Sequence, residues 1–226
     1  MLVKAGSKQA RSDERFFFGV AVVVALIFGA GFVFLMLALN HREKTPHVPV
    51  PSGDAVALAP DHSRQLVDFS LTDRSGRTVT RSDLAGKFVV VDFLFTSCSL
   101  TCPVVNGHMA EIQKLTAGQP DVELLSLTVD PRDDTTEVLA NYGRQFGADT
   151  NRWLLVTGDR DDLHHLIATS FLSQDETDPF TYMPGNFSHT ERIAVVDSRG
   201  NVRAYFDGLA YNVATAVVDQ IARLRQ

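Results

Sequence analysis

Between residues 88 and 172 the chain alternates continuous apolar runs with helical periodicities, and this alternation restricts the fold more than any other feature. Phe88 to Phe95, Val122 to Val129 and Trp153 to Val156 are short and rich in β-branched and aromatic side chains, as expected of strands buried on both faces. Val105, Met109, Ile112 and Leu115 then recur at helical spacing up to Gly118, and Val138, Leu139, Tyr142 and Phe146 do so up to Gly147. Asp134, with Glu137 three residues on, has the spacing of a capping box opening the second of these helices, and a third helix is expected from Asp159 to about Leu172. Buried strands joined by crossover helices imply a parallel core.

Hairpins flank this unit. Val67 to Leu71 and Arg77 to Thr80 surround the turn residues Asp73 to Gly76, while Arg192 to Val196 and Val202 to Phe206 surround Asp197 to Asn201. A long loop, Ser173 to Glu191, precedes the second hairpin, and Val213, Val217, Ile221 and Leu224 mark a final amphipathic helix. The order is that of an α/β, thioredoxin-like fold with an N-terminal hairpin. Sites in such sheets gather beyond the carboxyl ends of the strands.

Residues 16–39 are uncharged and free of proline. As a helix they would extend roughly 36 Å, enough to cross a hydrocarbon core of about 30 Å. The run is too long for the apolar region of a signal peptide, and no Ala-x-Ala pattern closes it. Lys4, Lys8, Arg11 and Arg15 precede it, against Arg42 and Lys44 after it, so the charge rule puts the N-terminus in the cytoplasm. The expected organisation is a cytoplasmic segment 1–15, a transmembrane helix 16–39, a proline-containing linker 40–60 and a domain 61–226. Asp13 and Glu14 make the first residues a poor mitochondrial targeting sequence, which favours a bacterial inner membrane with the domain in the periplasm. The domain carries 15 Lys and Arg against 23 Asp and Glu, a formal charge of −8, which argues against a nucleic-acid partner.

Cys98 and Cys102 are the only cysteines. A strand ends just before the first, and Pro103, suited to the first turn of a helix, follows the second. The unpaired N–H groups and dipole of a helix N-terminus stabilise a thiolate. Three residues separate the thiols, a wider turn than Cys-x-x-Cys, leaving room for a metal between the sulfurs. Two thiolates favour soft ions such as copper(I), and a structural zinc site would usually want four ligands. A third ligand must then come from elsewhere in the chain. Of the five histidines beyond residue 60, His189 is the best placed, at the end of the long loop and just before a core strand. His108 falls about 240° around the helix from Cys102, facing solvent or neighbouring packing. His164 and His165 sit mid-helix, His62 at the domain edge, and Met183 is a loop thioether. A purely structural disulfide is the plainer alternative for the cysteines.

Phe95-Thr96-Ser97-Cys98 through Cys102-Pro103, Thr128-Val129-Asp130-Pro131-Arg132-Asp133 with Thr135, Tyr142, Phe146-Gly147-Ala148, Trp153, Thr157-Gly158, Ser188-His189-Thr190, and Asp197 with Gly200 before Tyr205-Phe206-Asp207-Gly208 together resemble the Sco/SenC family over roughly residues 65 to 208. Those are membrane-anchored, thioredoxin-like copper proteins of cytochrome c oxidase assembly. The resemblance implies Cys98, Cys102 and His189 as ligands of a copper ion. It implies cytochrome c oxidase subunit II as the recipient, with another copper carrier or a thiol reductant as a further partner. Many relatives place an aspartate where Ser188 stands, and thioredoxins place a cis-proline just before the strand that begins here at Arg192. An enzyme reading stands beside the carrier: a thiol-disulfide reductase or redox sensor using the Cys98/Cys102 pair.

Overall fold

The computed structural model describes residues 64–171 and 191–226. The expected membrane helix 16–39, the linker, His62, Met183, Ser188 and His189 lie outside these residues. No helix among the described residues is long and apolar enough to cross a membrane.

Seven strands form one sheet: β1 (Ser70–Asp73), β2 (Thr78–Thr80), β3 (Phe88–Leu94), β4 (Val122–Thr128), β5 (Trp153–Thr157), β6 (Arg192–Val196) and β7 (Val202–Asp207). Their spatial order is β2-β1-β5-β4-β3-β6-β7. The three apolar runs are the parallel centre, with Val90 opposite Leu124 and Leu125 opposite Leu154, and the two hairpins add antiparallel edges beside β5 and β3. Crossovers are made by α1 (Cys102–Leu115) and α2 (Thr136–Gln145), then α3 (Arg160–Ser170) follows β5 and α4 (Val213–Leu224) closes the chain.

Strand periodicity divides the core into two layers. Phe88, Val90 and Leu94 face α1, α2 and α4, packing with Met109, Ile112, Leu139, Val217 and Ile221. Val89, Val91 and Phe93 face α3, packing with Leu163, Leu166 and Ile167. Because β3, β4 and β5 run parallel, the loops after them open at one end of the sheet, and the cysteine loop is the first of these.

Two local expectations are corrected. The cap of α2 is Thr135, whose extended backbone lets Oγ1 accept from Val138 N–H at 3.4 Å. Asp134 is buried and bonded elsewhere, so the Asp134/Glu137 capping box does not form. Leu115, the last member of the apolar stripe expected on α1, is 48% exposed because the helix ends there. A 3-10 turn at Arg81–Leu84, absent from the sequence reading, is held by Asp83, whose carboxylate accepts from Thr80 N–H at 2.8 Å.

Gly208 fixes how β6 meets the end of β7. Its N–H donates to Glu191 O at 2.6 Å, and a Cβ on it would overlap that same carbonyl oxygen. The obstacle is backbone and cannot swing away. Gly208→Ala should therefore cost about 2–3 kcal/mol of unfolding free energy. Gly107→Ala, mid-helix with nothing within 4 Å of an added Cβ, should gain about 0.5–1 kcal/mol. Urea denaturation of both variants checks the pair, and equal effects would contradict the packing described.

Candidate thiol and metal site

The cysteine loop leaves β3 in a tight turn, with Cys98 N–H donating to Phe95 O at 3.1 Å. Four residues later α1 begins, and Cys102 N–H donates to Cys98 Sγ at 3.5 Å. Thr101, the residue before the helix, makes no capping bond through its side chain, and its hydroxyl lies 3.9 Å from the same sulfur. Cys98 Sγ thus stands where a capping oxygen would stand, against the positive end of the helix. Pro103 in the first turn loses nothing, since its missing N–H would have had no partner in the helix. Both cysteines are free thiols, Cys98 partly exposed and Cys102 buried.

Their environments push the thiols apart. Burial tends to raise Cys98, but hydrogen bonds from the Cys102 and Leu100 amides, the Cys102 thiol and the Thr101 amide outweigh it and hold Cys98 below the ordinary thiol range. For Cys102 burial dominates and raises the thiol strongly, with the neighbouring Cys98 and Asp92 adding to the rise. One accessible sulfur is inclined to ionise, and the other keeps its proton until something displaces it.

Under the helix lies a polar layer that reading the strands as continuous apolar runs had missed. Asp92 of β3 is opposite Ser126 of β4 in register, and both point toward α1. Ser126 Oγ donates to Asp92 Oδ1 and accepts from Trp153 Nε1 at 2.8 Å. Asn106 Nδ2 donates to Asp92 Oδ2 at 3.3 Å and to Cys102 O at 3.0 Å, joining the layer to the helix start. The available signal was parity: Asp92 shares its strand face with Val90 and Leu94, where an apolar side chain is the rule.

Other sequence candidates fall as follows. His108 Nδ1 lies 2.8 Å from Gly208 O, a packing contact that ties α1 to the end of β7. His164 and His165 are in α3, on the far side of the sheet from α1. Among the described residues no group of three or more His, Cys, Asp or Glu could hold a metal. Within these residues the site is two thiols, and His189 lies outside them.

A thioredoxin-like sheet carrying a pair of free cysteines at a helix N-terminus defines a thiol-based redox or soft-metal protein. The SCO1/SenC family model matches residues 59–226, and the chain belongs to that family. It is similar in structure to a SCO1/SenC family lipoprotein from Bacillus anthracis, with 28% identity, a TM-score of 0.64, and 73% of this chain and 96% of that one covered. At 20% identity and a TM-score of 0.61 it shares its fold with BsSco, described as a member of the Sco family of cytochrome c oxidase assembly proteins with a disulfide switch; coverage is 74% and 96%. At 24% identity and 0.56 it shares it with copper-bound ScoI of Bradyrhizobium japonicum, with coverage of 70% and 98%.

Burial raises the Asp92 carboxyl to about 7, although the bonds from Ser126 and Asn106 pull the other way. The folded state therefore holds this proton more tightly than the unfolded chain, whose carboxyl titrates near 4. The stabilisation is full below that value and is lost as pH rises to about 7, at up to about 1.4 kcal/mol per pH unit. Unfolding free energy measured from about pH 4.5 to 7.5 should fall more steeply for the native protein than for Asp92→Asn. Parallel curves would remove the buried carboxyl from the account.

Proposed function

We propose that this protein is an anchored copper carrier that holds copper(I) on the thiolates of Cys98 and Cys102 and the imidazole of His189. It then passes the ion by ligand exchange to subunit II of cytochrome c oxidase. The observation that carries the reading is the contact of Cys98 Sγ with the Cys102 amide: both sulfurs lie at one helix N-terminus, reduced and close. Two thiolates suit a soft ion and leave it short of donors. The β3–β6 register supports a third donor from the chain just before β6, since Asp92 pairs with Ile193 and Glu191 thereby reaches the end of the sheet where the cysteine loop departs. Copper-bound ScoI supports the cargo, and the description of BsSco supports the assembly role.

Leu100, between the cysteines, is 76% exposed, and Val104 beside them is exposed as well. Apolar surface next to the thiols suits a recipient that must approach within ligand distance. The apolar segment 16–39, read as a single membrane span with the domain in the periplasm, would keep the carrier at the membrane that holds the oxidase.

The split between the two thiols also favours a second reading. An accessible, easily ionised Cys98 and a buried Cys102 form the attacking and resolving pair of a thiol-disulfide reductase. Such a pair would pass two electrons and two protons to a disulfide of the recipient and end as a disulfide itself. Reduction of that disulfide yields the free cysteines that copper transfer needs in the recipient, so one protein can serve both uses. Only copper carriage needs His189.

Anaerobic titration of the reduced protein with copper(I) should give one ion per chain. Cys98→Ser or Cys102→Ser should weaken binding roughly 100-fold or more, because a neutral hydroxyl replaces a soft anion. His189→Ala should weaken copper while leaving thiol-disulfide exchange intact. Unchanged copper affinity in His189→Ala would remove that imidazole from the ligand set and overturn the three-donor site.

A further inference from the structure

We infer that Asp134 is a positioning residue for Cys98. It lies on the loop between β4 and α2, 1% exposed, and its carboxylate accepts from the Thr96 amide at 3.2 Å, the Thr96 hydroxyl at 2.5 Å and the Thr128 hydroxyl at 2.5 Å. A buried carboxylate is costly unless its oxygens are well bonded. Helix capping does not account for it, because Thr135 already caps α2.

What the carboxylate holds is the root of the cysteine loop. Only Ser97 separates Thr96 from Cys98, and the Cys98 amide folds back on Phe95 O, so residues 95–98 form one turn. Gripping Thr96 by both N–H and hydroxyl orients that turn. The orientation of the turn aims Cys98 Sγ at the Cys102 amide and the start of α1. The Thr128 hydroxyl anchors the other side of the carboxylate to the end of β4, which is paired with the end of β3. Asp134 therefore ties the cysteine turn to the rigid centre of the sheet across two loops.

The inference rests on Cys98 being the working thiol of the proposed function. The test uses no copper, so its failure is separable from failure of copper carriage. The reduced full-length chain is pulsed with iodoacetamide at about pH 7.5, and labelling of Cys98 is followed by peptide mass spectrometry. Asp134→Asn and Thr96→Val should each slow Cys98 labelling about tenfold, since the sulfur drifts from the amides that favour its thiolate. Thr96→Ser, which keeps the hydroxyl, should restore the rate. Thr135→Val removes the cap of α2, a stabilising bond of comparable size, but leaves Thr96 and Asp134 bonded to each other, and should label as the native protein does. Slowing below about threefold in Thr96→Val, or an equal loss in Thr135→Val, would reduce Asp134 to a stabilising group and overturn the inference. Should Asp134→Asn fail to fold, the three threonine variants still decide.

Discussion

A helix that starts at the end of a parallel sheet presents N–H groups with no partners of their own, and the arrangement around Cys98 is a way of meeting that demand with sulfur. Cys102 N–H reaches Cys98 Sγ where a serine or aspartate oxygen would usually stand. The cap becomes better as the sulfur becomes more negative, so the fold and the thiolate support one another. The three-residue spacing follows from the same geometry, since Cys98 must lie far enough back to face the helix end and Cys102 must lie inside its first turn.

Everything else near the site keeps those two sulfurs in place. From below, Asn106 bonds the Cys102 carbonyl and links it through Asp92 and Ser126 to Trp153, so the helix start is braced against three central strands. From the side, Asp134 holds the turn that carries Cys98. The two carboxylates are buried, and each accepts at least one hydroxyl hydrogen bond, yet burial still raises both. Such buried polar groups are tolerated where they fix geometry, and the geometry they fix here is that of the thiols.

Much of this was legible in the residues. Strand and helix periods located β3, β4, β5 and the helices between them, and the strand-end position of Cys98 with Pro103 after Cys102 placed the thiols at a helix mouth. The polar layer left only the parity of Asp92 as a trace, because Asp92 and Ser126 sit in runs whose apolar neighbours dominate any window average. Their meaning emerges only when β3 and β4 are put in register. Asp134 was misread for a related reason: Asp before Thr-Thr-Glu matches a capping pattern, and short-range spacing cannot reveal that the carboxylate turns inward to Thr96, 38 residues away in sequence. His189 and the apolar segment 16–39 rest on sequence and on family resemblance, since both lie outside the described residues.

In the function proposed here, one pair of sulfurs at one helix end would serve both copper and disulfide chemistry, and each state would exclude the other. Copper needs both sulfurs as thiolates, and a disulfide removes both from the ligand set. The most direct measurement is a timed alkylation pulse on the reduced protein with and without one equivalent of copper(I), read at each cysteine by mass spectrometry. Bound copper should protect Cys98 and Cys102 together, and prior oxidation to the disulfide should abolish copper retention. Equal labelling of Cys98 in the two samples, with copper demonstrably retained, would place the metal elsewhere and contradict the account.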